Sequence, residues 1–338
     1  KPDVLWFMTD PRFYTWLWRI DNEIRGLLPM VYYHVWDNYP HPTFNKPYYD
    51  SNDVIVAISK VTHDIVETVS PDVESIYLPH AVDSAIYKPI AEEEILKFRE
   101  AHFPNEKNPN RKIFFWNNRN AKRKQSGTLI MWFKEFLDRV GHDNACLIMH
   151  TDPKDPFGQD LRAIMQDQGI EDGQILLSTD KVDPKMLSFM YNMSDCTINI
   201  SDAEGFGLST FESLNCGTPI IVNMTGGLQE QVTDGENWFG IGLEPSSKAC
   251  IGSQDVPYIY EDRLNKEDFI EALTKIYNMP EDERKALGEA GRQHVLKNYN
   301  YDDLKKKWIE IIDNVCEKHG SWETRKNYKS WKFIEVAA

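Results

Sequence analysis

The chain has 338 residues, a net charge of −15 and a pI near 5.1; that is long enough for two domains and too acidic for a nucleic-acid scaffold, which needs a basic face to displace counterions. Anionic lipid repels the same charge, and no apolar run reaches the roughly 18 residues that span a bilayer. Five widely spaced cysteines (Cys146, Cys196, Cys216, Cys250, Cys316) make neither a disulfide framework nor a CxxC metal site, which predicts a reducing, cytoplasmic setting.

The first third alternates short apolar runs with amphipathic stretches, the pattern of βαβ units. Residues 3–8 (DVLWFM), 30–35 (MVYYHV) and 53–58 (DVIVAI) predict strands, and Ser59 is placed to cap a helix running to Val69. A short strand at 75–78 follows. Residues 84–111, with a helix at 91–102 between Pro89, Pro104 and Pro109, read as an interdomain connection. A second series then begins, with strands at 112–116, 145–149, 174–177, 196–200 and 219–222. Between them lie helices at 127–140, 157–168, 184–192 and 208–214. Strands alternating with helices in this way imply parallel sheets covered on both faces. Residues 266–318 are helical throughout and lead into the tail RKNYKSWKF. The expected domains are 1–83, 112–300 and a C-terminal helix and tail at 301–338 packing back on the first. Because the chain begins at Lys1 and enters a strand at once, the first domain is expected to be incomplete at its start.

Residues 201–219, SDAEGFGLSTFESLNCGTP, carry the chemistry. A buried strand (CTINI) ends in the turn EGFG, which opens a helix. The end of a parallel strand beside a helix N-terminus is where open α/β sheets bind ligands, and free amides with a positive dipole end suit a diphosphate. Gly205 and Gly207 allow close backbone approach. Glu204 lies in the turn and Glu212 eight residues on. Upstream, Arg119, Lys122, Arg123 and Lys124 follow a predicted strand. Arg119 and Lys124 are assigned to an anion site, and Lys122 and Arg123 to solvent.

This segment resembles the Glu-x7-Glu motif of the retaining GT-B glycosyltransferases of the group 1 type (glycosyltransferase family 4), which includes bacterial mannosyltransferases and sucrose synthases. Further stretches fall in the family's order: ISKVTHD (58–64), LPHAVDSAIYKP (78–89), IFFWNNRNAKRKQ (113–125) and GGLQEQVTDGEN (226–237). The sequence departs from the family at Ala81, Asn118 and Gln125, where glycine is usual, and its Asn-Arg-Asn variant is similar to virus-encoded members.

The resemblance implies an α/β GT-B fold, two Rossmann-like domains with parallel sheets facing across a cleft. It also implies retaining, metal-independent hexosyl transfer from a UDP- or GDP-sugar to a hydroxyl acceptor, with no cofactor. Catalytic roles fall to Glu204, His34, Arg119 and Lys124, with His34 facing the donor sugar at the end of an N-domain strand. Donor binding falls to Gly205, Phe206, Gly207, Leu208, Glu212, Arg119 and Lys124. Thr9, Asp10 and Asp37 are further strand-end candidates, Asp10 equally suited to opening a turn. No metal site is expected, since no Asp-x-Asp occurs and DPKD (152–155) is not one. Competing readings are a non-catalytic nucleotide-sugar-binding protein and a nucleotide-sugar epimerase on the same fold. The aromatic, basic tail allows a peripheral membrane contact.

Overall fold

The computed structural model describes residues 1–332 apart from 105, 171 and 172. Two compact units emerge. The first comprises Lys1–His80, Cys250–Tyr260 and the described chain from Asp302, and the second Ala81–Ala249 and Glu261–Tyr301. Residues 333–338 of the predicted tail lie outside the described residues.

In the first unit, β1 (Leu5–Thr9), α1 (Thr15–Trp18), α2 (Asp21–Arg25), β2 (Met30–His34), α3 (Lys46–Asp50), β3 (Val54–Ala57), α4 (Lys60–Val69) and β4 (Glu74–Tyr77) follow in order. The strands form one parallel sheet in the order β1-β2-β3-β4. Ser59 caps α4, accepting from the Thr62 amide at 3.1 Å. Phe7, Met30, Tyr32 and Ile55 pack on Trp18, Trp36, Tyr49, Ile65 and Val66. Val256 joins this core from the inserted 250–260 segment, a contribution the apolar pattern did not anticipate.

The second unit contains α5 (Glu92–His102), β5 (Lys112–Asn117), α6 (Ser126–Val140), β6 (Ala145–His150), α7 (Leu161–Asp167), β7 (Ile175–Ser178), α8 (Pro184–Met193), β8 (Cys196–Asn199), α9 (Leu208–Asn215), β9 (Ile220–Asn223), α10 (Leu228–Val232) and β10 (Gly240–Leu243). Strands β11 (Ser247–Ile251) and β12 (Ile259–Arg263) pair as a two-stranded sheet. Helices α11 (Lys266–Asn278) and α12 (Glu281–Asn298) close the unit. The segment 84–111, expected to be a connection, belongs here, with Phe98 of α5 stacked on Phe189 of α8 at 5.0 Å.

Its six strands are parallel, in the order β10-β9-β8-β5-β6-β7. Alternate side chains of β5 and β6 enter two separate cores. Phe114, Trp116, Leu147 and Met149 meet residues of α6, α7 and α11, while Ile113, Phe115, Cys146 and Ile148 meet α8. Chain order runs outward in both directions from the β5–β8 pair, which is the doubly wound arrangement with its switch point there.

Helix α13 (Tyr301–His319) lies almost wholly in the first unit, where Trp308 meets Trp6 edge-on at 5.7 Å and Tyr33 at 5.0 Å. The following tail is tied down in the same unit. Arg325 reaches the buried Asp53 at 2.7 Å, and Asn22 exchanges hydrogen bonds with the Trp331 backbone at 3.0 and 3.1 Å.

Candidate functional site

The loops leaving β5 and β8 meet at the switch point of the second unit. After β5 the chain makes the turn Lys122–Lys124, ended by Gln125 with φ +55°. After β8 it runs through 200–207 into α9, whose N-cap, Gly207, offers no side-chain cap. There Lys124 Nζ pairs with Glu204 Oε2, the two side chains only 8% and 13% exposed. Asn199 Nδ2 also donates to Glu204, at 3.4 Å. Burial by itself raises the pKa of Glu204, but the charges of Lys124 and Arg123 and the Lys124 and Asn199 hydrogen bonds outweigh it. The carboxyl titrates below its ordinary value and is ionised at neutral pH. Arg123 is exposed, yet its guanidinium is not left to solvent, since it donates to the Ala203 carbonyl.

The glycine-rich turn is shaped by the loop after β9. Gly207 sits at φ +92°, and a Cβ there would lie 2.5 Å from Leu228 Cδ2. A Cβ on Gly226 would lie 1.9 Å from the Glu204 carbonyl oxygen, and one on Gly227 2.6 Å from that of Gly205. The Gly227 amide donates to the Glu204 carbonyl at 3.0 Å. The buried Gln231 finishes the clamp, donating to the carbonyls of Phe206 (2.6 Å) and Gly207 (3.2 Å) and accepting from Thr210 Oγ1 at 2.7 Å. Gly205, Phe206, Gly207 and Leu208 thus have fixed backbone directions at the uncapped start of α9, the arrangement that binds anions.

Glu212, on α9, accepts from Tyr191 Oη at 2.7 Å and from the Tyr87 hydroxyl. Burial raises its pKa, and the two phenols offset only part of that rise. Tyr191 is itself oriented by Asn117 Nδ2, at 2.9 Å. Arg119 stands at the rim, its side chain 60% exposed. It is bidentate to Asp155 (2.7 and 3.2 Å) and lies 4.8 Å from the Phe157 ring centroid. The stretch containing DPKD therefore serves as the counter-ion loop of Arg119. It is fastened by the buried Asn120, which donates to the Gln159 carbonyl at 2.7 Å and accepts from Ser126 Oγ at 2.6 Å.

The first unit's candidates stand differently. His34 ends β2 as expected, but its imidazole is fully buried, bonded to Tyr49 Oη at 2.8 Å and packed on Tyr32. Burial holds its pKa down to about 3, so within the first unit it is a buried, neutral group. Asp10 opens the turn Pro11–Tyr14, accepting from the Arg12 amide at 3.0 Å, and Thr9 offers its carbonyl to Tyr32 Oη at 2.6 Å.

Sequence reasoning missed Asn120, Tyr191, Asp202 and Gln231. Each acts through a partner distant in the chain, so none carries a local pattern. Gln125 was visible only as a departure from glycine.

Residues 97–294 match the family model of glycosyl transferases group 1. Among curated proteins, D-inositol 3-phosphate glycosyltransferase of Acidothermus cellulolyticus is 39% identical over 90 residues, 26% of this chain and 20% of that protein. Trehalose synthase of Pyrococcus horikoshii is 22% identical over 171 residues, 50% of this chain and 35% of that protein. The matched stretches thus span between a fifth and about a third of those relatives. Among solved structures, sucrose-phosphate synthase of Thermosynechococcus elongatus superposes with a TM-score of 0.71 at 16% identity, covering 93% of this chain and 74% of that one. An Anabaena protein solved with UDP and glucose gives 0.70 at 14% identity, covering 92% and 77%. At such identities the likeness speaks to the fold, the α/β GT-B architecture with its two parallel sheets. The family match spans more than half of the 338 residues and includes both Lys124 and Glu204, and the chain belongs to the glycosyl transferases group 1 family.

Proposed function

We propose that the chain is a retaining, metal-independent hexosyltransferase that moves a sugar from a UDP- or GDP-sugar to a hydroxyl acceptor. The observation that carries this reading is the buried Lys124–Glu204 pair at the switch point, beside the uncapped start of α9. The diphosphate sits over the amides of Gly205 to Leu208, with Lys124 and Arg119 supplying positive charge as the bond to the anomeric carbon breaks. The exposed Arg119 exchanges its Asp155 partner for phosphate oxygens, a bidentate geometry that a guanidinium suits equally well. The bonding electron pair leaves with the diphosphate oxygen. The acceptor oxygen adds on the same face, and its proton passes to the departing diphosphate. Glu204, kept ionised, faces the developing positive charge on the sugar, a stabilisation stronger in the transition state than in the ground state. Glu212 holds the ribose.

A panel of UDP- and GDP-hexoses tests the reading, with donor consumption and product anomeric configuration followed by NMR in excess EDTA. UDP-glucose is the first to try, since the Anabaena relative was solved with UDP and glucose. Turnover that survives EDTA and keeps the donor's configuration is expected. An inverted product, or activity lost to EDTA and restored by Mg²⁺, overturns the corresponding part. Absence of both turnover and binding across the panel overturns the whole.

A further inference from the structure

The second unit holds a side-chain clamp next to the proposed donor site. Gln125 occupies a left-handed conformation (φ +55°, ψ +32°), which is strained for a non-glycine residue. Its side chain is held at both ends. Nε2 donates to Asp202 Oδ2 at 2.5 Å, and Oε1 accepts from Thr128 Oγ1 at 2.6 Å. Asp202 in turn is only 4% exposed at its side chain and pairs with Arg263 at 2.8 Å. The same loops are joined in two further places, the Asp202 amide donating to the Arg123 carbonyl at 2.8 Å and the Arg123 guanidinium to the Ala203 carbonyl.

Residues on both sides of Lys124 are therefore fastened to residues just before Glu204. From this we infer that Gln125 and Asp202 form a positioning pair, a side-chain clamp that sets Lys124 against Glu204 for diphosphate binding. Neither residue touches the reacting atoms; both act through Lys124. Burial pushes the Asp202 carboxyl up to about 7, aided by Glu261 and Asp262 and opposed by Gln125 and Arg263. The fold thus keeps this carboxyl buried despite an electrostatic penalty, which suits a group retained for its bonds.

This inference rests on the proposed donor site, and the experiment separates the two. Affinities for UDP and GDP are measured by calorimetry on the full chain, with melting curves for every variant. Lys124→Ala tests the site itself. If it binds as wild type, or if wild type binds neither nucleotide, the site reading fails and the pair falls with it. Given a functional Lys124, Gln125→Ala and Asp202→Ala should each weaken binding roughly tenfold, the scale of one charge-assisted hydrogen bond. Asp202→Asn, which keeps an acceptor for Gln125, should lose much less. The decisive variant is Gln125→Gly, because glycine adopts the left-handed turn unaided. It should bind within about threefold of wild type, and adding Asp202→Ala to it should change affinity less than twofold. A purely structural role would lower melting temperatures and leave affinity unmoved. Undiminished affinity in Gln125→Ala, or a full tenfold loss from Asp202→Ala in the glycine background, overturns the pair.

Discussion

Replacing Lys124 by methionine keeps the stem that packs in the loop and deletes only the charge, leaving Glu204 behind as a carboxylate with 13% of its side chain exposed. Breaking a buried ion pair from one side costs about 3–5 kcal/mol, because the remaining charge loses its compensation. Against a total stability of about 5–15 kcal/mol this is a large fraction, and for a unit of this size it lowers Tm by roughly 10 °C. Denaturant unfolding and calorimetry read the loss directly. The pH dependence gives an independent check on sign. In the native pair Glu204 titrates below its ordinary value of 4.5, so its contribution is present above that value and is lost as pH falls through the folded pKa. Without Lys124, burial dominates and the pKa rises, so the variant loses stability as pH rises instead. The gap between wild type and Lys124→Met should therefore be wider at pH 8 than at pH 4. The double variant Lys124→Met with Glu204→Gln carries no stranded charge and should recover more than half of the stability while still failing to bind nucleoside diphosphate. A single variant that melts with wild type, or a double variant that melts below the single one, refutes the coupling.

Other outcomes follow from the same geometry. Glu212→Gln should raise donor KM about tenfold with kcat changed less than threefold, since the proposed ribose contact is one made equally in ground and transition states; a kcat loss at saturating donor contradicts that role. Asn120→Ala strands Ser126 Oγ and the Gln159 carbonyl, costing about 1–3 kcal/mol, and should open residues 153–159 to limited proteolysis; an unchanged digestion pattern would show the loop is held elsewhere. His34 is neutral in the fold, with its pKa near 3 against an ordinary 6.5. Its contribution is full above 6.5 and is lost as pH falls below it, so His34→Gln should flatten the stability profile between pH 6.5 and 4, and a profile parallel to wild type there rejects the assignment.

The alternation of apolar runs made the second unit's sheet legible, because β5, β6, β8 and β9 are buried on both faces and read as continuous hydrophobic stretches. Helix α7 begins later than expected, at Leu161 rather than 157. The intervening residues are taken up by the loop that Asn120 fastens, with Asp160 capping the helix through the Ala163 amide at 3.1 Å. Strands β10 to β12 escaped notice for a different reason. Their sequences, GIGL, SKACI and IYEDR, mix glycine, charge and single apolar residues, and their pairing gives them an order that composition does not announce. Likewise nothing local marks 250–260 as part of the first unit. Its membership rests on isolated anchors, Val256 in the core and Tyr258 edge-on to Phe44 at 5.2 Å.

At the site, the distinction between legible and hidden residues follows the range of the interaction. Glu204, Gly205, Gly207 and Glu212 lie within nine positions of one another, so a strand, a turn and a helix place them together wherever that local pattern forms. Gln125 and Asp202 are 77 positions apart, and Lys124 and Glu204 are 80 apart. Such pairings depend on β5 and β8 becoming neighbours, which is a property of strand order and not of either segment. His34 shows the converse. Its position at the end of a parallel strand is what a ligand-facing residue requires, but strand position does not determine side-chain direction. The hydroxyl of Tyr49 draws the ring inward, and the aromatic residues around it supply an apolar shell that a charged imidazole could not occupy. A strand-end histidine is thus a candidate only until its neighbours are known, whereas a carboxylate and an ammonium buried together at a switch point constrain one another, and their pairing narrows the chemistry in a way that neither residue does alone.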